Sequence, residues 1–272
     1  MKKIVLNILL VLPVLFLTNC DDDKDTVVAA TQTFQLKSVA NPNISGTAKF
    51  IENEDNSTTV ELQLTGTSSG GSHPAHIHFN TAAESGDIAV TLGVVNGDTG
   101  FSTKTFSKLD NGTSVSFSEM LDFDGYVNVH LSGSELTTLV AQGDIGQNEL
   151  TGKSTVYTLN EKDVAGINGT ATFFERKNGE ALAVLNIANT PDNGMHPAHI
   201  HTGSVATAPG SILFTFNSVN GNTGTSMTNV SKLDNNTSFN YSDVLSINGY
   251  VNVHLSAADL GTIVAQGNVG VN

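Results

Sequence analysis

Apolar and polar residues alternate with a period of two through much of the chain. Thr33-Phe34-Gln35-Leu36-Lys37 alternates, as does Thr59-Val60-Glu61-Leu62-Gln63-Leu64, and later Ser114-Val115-Ser116-Phe117. Such windows predict half-buried β-strands. Gly-rich and Asn-rich turns separate them, and Asp110-Asn111-Gly112 carries the Asn-Gly pair of a tight turn. No window holds a helical period for long. Ser132–Leu136 and Ser256–Leu260 carry weak capping signals, each enough for one short turn of helix. Short strands with frequent turns predict an all-β sandwich or barrel of roughly seven to nine strands per domain.

The pattern occurs twice. Ser107-Lys108-Leu109-Asp110-Asn111 returns as Ser231-Lys232-Leu233-Asp234-Asn235, and Val140-Ala141-Gln142-Gly143 as Val264-Ala265-Gln266-Gly267. The offset is 123 at His73/His196 and 124 at Asn96/Asn220, so one residue is inserted between those blocks. A period this long marks a duplicated domain, not a solenoid. The expected division is residues 32–149 and 150–272, each copy long enough to bury its own core.

Within this frame lie two copies of His-Pro-Ala-His-Ile-His: His73 to His78 and His196 to His201. Each has a downstream partner, Gly-Tyr-Val-Asn-Val-His-Leu-Ser, carrying His130 or His254. These two sets of four account for all 8 histidines. In a strand, residues i and i+2 share a face, with Cα atoms ~6.6 Å apart. His76 and His78 therefore project together, while Ile77 faces the core. If the two segments are neighbouring strands, His130 joins them from the face it shares with Tyr126 and Asn128. His199, His201 and His254 repeat the arrangement, with Tyr250 and Asn252 as the matching supports. His73 and His196 have opposite parity, so each is either a fourth ligand or a rim residue. All-nitrogen ligation suits copper or zinc. The competing expectation is a set of neutral histidines hydrogen-bonded to backbone carbonyls or to Asn128 and Asn252.

Composition narrows the partners. The formal net charge is -14, or -16 without Lys2 and Lys3, and Arg176 is the one arginine. Phosphate recognition needs Lys and Arg, so nucleic acid is excluded as an expected partner. No Gly-rich phosphate loop and no nucleophilic serine motif stands out. Asp122-Phe123-Asp124-Gly125 loses both carboxylates in the second copy, Ser246-Ile247-Asn248-Gly249, and reads as a turn and not a calcium loop. The start is different in kind. Lys2 and Lys3 precede a nearly continuous apolar run to Leu17, too short to span a bilayer and typical of a signal peptide.

Four resemblances follow. Leu17-Thr18-Asn19-Cys20 resembles the lipobox of bacterial lipoproteins, which implies a signal peptide at 1–19, lipidation of Cys20, an acidic tether at 20–31 and a membrane partner through the anchor. The Asp21–Asp25 run resembles the acidic export signal of some Bacteroidetes lipoproteins, implying the cell envelope and the outer face of the outer membrane. Ala75-His76-Ile77-His78, Tyr126-Val127-Asn128-Val129-His130 and Val140-Ala141-Gln142-Gly143, with their second copies, resemble the CHRD (chordin-type) domain family; the last block lacks that family's arginine. This resemblance implies a secreted β module that often occurs in tandem. The His-x-His strand is also distantly similar to the copper strand of copper/zinc superoxide dismutase, an Ig-like, Greek-key β-sandwich.

The expectation is therefore an all-β, lipid-anchored protein of two tandem β-sandwich domains. Its role would be non-enzymatic binding or adhesion, toward an extracellular protein or glycan, with one copper- or zinc-capable site per domain. The alternatives are a copper-dependent redox enzyme like superoxide dismutase, and a structural module whose histidines are hydrogen-bonded.

Overall fold

The computed structural model describes residues 29–272. The segment expected to be a signal peptide, Cys20 and most of the expected acidic tether lie outside the described residues. The first repeat contributes β1 (Thr31–Ser38), β2 (Ser45–Glu52), β3 (Thr58–Thr65), β4 (Ser72–Phe79), β5 (Ile88–Asn96), β6 (Phe101–Phe106), β7 (Asp124–Ser132) and β8 (Glu135–Gly146). The second contributes β9 (Leu150–Glu161), β10 (Asn168–Arg176), β11 (Ala181–Ala188), β12 (Met195–Thr202), β13 (Ile212–Asn220), β14 (Thr225–Val230), β15 (Asn248–Ser256) and β16 (Asp259–Gly270). The repeat boundary falls in the short connection between β8 and β9.

Each repeat closes into an antiparallel barrel, ordered β1-β2-β3-β6-β5-β4-β7-β8 in the first and correspondingly in the second. β3 beside β6, and β4 beside β7, make this a Greek-key path. Two seams are thin. β5 meets β6 at one paired position, Asn96 with Phe101, and β1 meets β8 at two, Lys37 with Gln142 and Ser38 with Ala141. The two repeats are thus all-β as expected. The strand sets β1-β2-β3-β6 and β5-β4-β7-β8 join along these seams into one closed barrel where a two-layer sandwich was expected.

The interior is set by strand parity. Phe34 and Phe50 meet edge to face at 5.2 Å, and Ile77, Val127 and Val129 are fully buried beside them. Phe173, Ile200, Val251 and Val253 fill the second barrel. β7 is buried on both faces: Val127 and Val129 point inward, while Tyr126, Asn128 and His130 are covered on the outside.

Helix appears where a capping box is satisfied at both ends. Ser116 accepts from the Glu119 amide, and Glu119 reaches back to the Ser116 amide, starting α1 (Phe117–Leu121). Asn240 and Asp243 do the same for α2 (Tyr241–Ser246). This corrects two expectations. Ser114–Phe117 is a bridge leading into this helix and not a strand, and Ser132–Leu136 is the turn of the β7–β8 hairpin and not a helical cap. At the latter, pairing of Ser132 with Glu135 continues the ladder across the turn. At Asp110-Asn111-Gly112 the tight turn forms, with Gly112 at φ 89 and its amide donating to Leu109 O.

Ile77 sits in the core between the two outward histidines of β4. Replacing it with Ala should cost about 2–5 kcal/mol of unfolding free energy through lost burial and a residual cavity. Urea denaturation of Ile77→Ala would read this directly; a loss under about 1 kcal/mol would mean that the site collapses around the smaller side chain.

Candidate metal centre

β4 and β7 pair antiparallel with His78 opposite Tyr126 and His76 opposite Asn128. Because directly opposite residues share a face, His76, His78, Tyr126, Asn128 and His130 all stand on the outside of the barrel, away from the apolar interior. One ring nitrogen from each of His76, His78 and His130 lies within 4.8 Å of the others, and His199, His201 and His254 repeat this in the second barrel. β-bulges adjoin these residues: the register shifts between Ala75 and His76, between Ile77 and His78, and between Val129 and His130. A bulge bends the strand and re-aims the next side chain, which lets three imidazoles converge where a regular pleat would keep them apart.

The backbone sets the tautomers. His78 Nδ1 donates to Gly86 O at 2.9 Å, and His130 Nδ1 donates to Leu136 O at 2.6 Å. In the second barrel, His201 Nδ1 donates to Gly210 O at 2.9 Å and His254 Nδ1 to Leu260 O at 2.8 Å. A neutral ring with N–H on Nδ1 presents a bare lone pair at Nε2. Four imidazoles are therefore held in the form that ligates a cation through Nε2. Tyrosine secures the arrangement. Tyr126 stacks on His78 at 5.0 Å and its hydroxyl accepts from the Gly86 amide at 3.2 Å; Tyr250 stacks on His201 at 5.1 Å and accepts from Gly210 at 2.8 Å.

The third ligand distinguishes the copies. In the first barrel His76 Nδ1 lies 3.1 Å from His130 Nε2. Since His130 Nε2 is an acceptor, this is a hydrogen bond when His76 carries its proton on Nδ1. In the second barrel, His199 Nδ1, His201 Nε2 and His254 Nε2 are all buried with no partner. Three imidazole nitrogens bound at the usual 2.0–2.1 Å to one ion stand about 3.3–3.5 Å apart. The observed cluster needs only a small contraction to reach that geometry.

His73 and His196 do not join it. Their parity places them inside, and His73 Nδ1 donates to His130 O at 3.2 Å, as His196 Nδ1 does to His254 O at 3.3 Å. They hold the backbone of a ligand and fall outside the converging groups. Asn128 accepts from Gln142 Nε2 at 2.8 Å, and Asn252 Oδ1 is buried without a partner, so neither amide bonds a histidine. Arg176 binds Asp144 and Asn148 between the barrels and lies at neither histidine cluster.

Sequence reasoning missed the orienting carbonyls, because any residue supplies one. It also missed Asp110 and Asp234. Asp110 Oδ2 accepts from Thr91 N and Oγ1, and Thr91 stands opposite His76. Asp234 holds Thr215 opposite His199 in the same way. The repeated Ser-Lys-Leu-Asp-Asn block was the available signal.

Burial pushes His76, His130, His199 and His254 below the ordinary imidazole value. Neighbouring imidazoles push His76 and His199 further, against the opposing pull of Asp110 and Asp234. These four rings are thus neutral at neutral pH. The chain matches no protein-family model, no curated protein and no solved structure.

A depressed folded-state value means that the unfolded chain binds protons first as pH falls. Stability from these groups is present above about pH 6.5 and is lost below it, down through the folded-state values. Urea midpoints of the metal-free protein should be level from pH 8 to about 6.5 and then decline. A midpoint that stays level to pH 5 would show that these rings gain no protons on unfolding.

Proposed function

We propose that the chain is an envelope lipoprotein of two CHRD-type modules, each holding a copper or zinc ion on three histidines: His76, His78 and His130 in one, His199, His201 and His254 in the other. The observation that carries this reading is the trio of unpartnered buried nitrogens in the second barrel. Leaving a buried polar atom unsatisfied costs about 1–3 kcal/mol. An ion accepting all three lone pairs removes that cost. Copper leads zinc on affinity order, and imidazole suits both. His76 is only half-buried, so a coordination position on its side faces outward. The protein's role is then non-enzymatic: metal capture, or adhesion through a metal-bridged contact to an extracellular protein or glycan, at the membrane to which Cys20 is anchored.

The CHRD reading is supported by placement. The three blocks that resemble that family lie on adjacent strands, β4, β7 and β8, and Gln142 of the third block bonds Asn128 of the second. The redox alternative draws support from the His-x-His strand and the Greek-key order, but no arginine stands at either cluster to guide an anion.

Metal content and titration test the reading, comparing the chain from residue 26 onward with its His76→Ala/His199→Ala variant. About two copper or zinc ions per chain, lost in the variant, are expected. Binding weaker than roughly millimolar would end the metal reading and leave the histidines as hydrogen-bonded structure. Superoxide dismutation by the copper-loaded protein would instead move the assignment to the redox enzyme.

A further inference from the structure

The two histidine sites are copies, but their surroundings differ. In the first barrel, residues 80–87 form the loop whose Gly86 carbonyl orients His78. Asp144 Oδ1 caps this loop by accepting from the Ala82 amide at 2.8 Å. The second barrel has the same cap: Asn268 Oδ1 accepts from the Val205 amide at 2.8 Å. Asp144, however, has a second charged oxygen, and the other barrel takes it. Arg176 Nη1 donates to Asp144 Oδ2 at 2.6 Å and to Asn148 O at 2.6 Å. Arg176 is 1% exposed, its Nε donates to Asn229 Oδ1 at 3.0 Å, and Asn229 is itself fixed by Glu180 at 2.9 Å.

A second contact reaches the same loop. Asn217 Nδ2, on β13, donates to Ala83 O at 3.3 Å. Among the described residues, no side chain of the first repeat hydrogen-bonds the corresponding loop of the second barrel, residues 203–210. Among the described residues its hydrogen bonds come from its own repeat, through Asn268, Tyr250 and Asn272. The pair that makes the difference is also where the repeats diverge. Arg176 stands where the first copy has Asn53, and Asp144 where the second has Asn268.

We propose that the second barrel clamps the first histidine site: Arg176 is a positioning residue for His78, acting through Asp144 and the loop that carries Gly86. The first site therefore depends on contact between the barrels, and the second does not. Its consequence for metal affinity rests on the histidines being ligands; the clamp on the loop does not.

The test uses the full chain with Asp144→Asn and Arg176→Asn together. Each position then carries the residue its counterpart already has, and no buried charge is left alone. Hydrogen exchange on the metal-free protein should show Ala82 and Gly86 amides exchanging faster, with Val205 and Gly210 unchanged. In a His199→Ala background, copper affinity at the first site should fall about tenfold. In a His76→Ala background the second site should keep its affinity. Unchanged exchange at Ala82 and Gly86, or equal loosening of both loops, would overturn the clamp. Faster exchange with unchanged first-site affinity would overturn the positioning role. Copper binding by neither site in the parent chain would defeat the metal reading alone, and exchange would still decide the clamp. If the double variant does not fold, Asn217→Ala removes the exposed contact to Ala83, together with the bond from Asn217 Nδ2 to Met227 O within its own barrel. It should loosen the first loop and leave the second, and no difference between the loops would overturn the proposal.

Discussion

The two-residue repeat of the β-strand governs both barrels. On β4 it sends Ala75 and Ile77 into the core and His76 and His78 out of it. The same four residues therefore build the interior and the site, on opposite faces of one ribbon. A shift of one residue would bury the imidazoles in the apolar interior and expose Ile77, so the register that makes the core also makes the site. β7 is held to the same condition by Val127 and Val129, and this is why His130 arrives beside His76.

Parity alone would leave the rings fanned apart. The bulges and the backbone carbonyls bring them together. Gly86, Leu136, Gly210 and Leu260 each give a carbonyl to an imidazole N–H, and each fixes a lone pair on the far side of the ring. Such partners govern a ligand's basicity and direction as much as the ligand's own identity does. They come from loops and hairpin turns, so the site's precision depends on segments that are themselves tied down. Tyr126 and Tyr250 do this with one contact on the ring and one on the loop.

Much of this was legible in the sequence because it follows from short-range rules. Period-two windows marked the strands, the repeated blocks marked the two domains, and the His-x-His spacing placed two imidazoles on one face. What was not legible depends on long-range pairing. Closure into a barrel rests on a few residue pairs between β1 and β8, far apart in the chain. Ser132-Gly133-Ser134-Glu135 carries a capping signal, but the ladder through the β7–β8 turn overrides it. Asp110 looked like a turn residue, and is one; its place beside His76 comes from Thr91 on another strand. Asn128 looked like a histidine partner by parity, yet Gln142 on the next strand reaches it first.

The two copies also show how little separates a structural histidine from a ligand. In the first barrel His76 can give its Nδ1 proton to His130 and satisfy one pair without an ion. In the second the same three nitrogens stand unpartnered. A net hydrogen bond contributes about 0.5–1.5 kcal/mol, and an orphaned buried group costs about 1–3 kcal/mol. The rings are disposed alike in the two barrels, so the difference between a self-satisfied cluster and a binding site is a small change in one contact and the transfer of one proton between the nitrogens of one imidazole. The hydrogen-bonded and metal-holding readings are accordingly two states of one arrangement. Which state each barrel occupies depends on which nitrogen of His76 or His199 carries its proton.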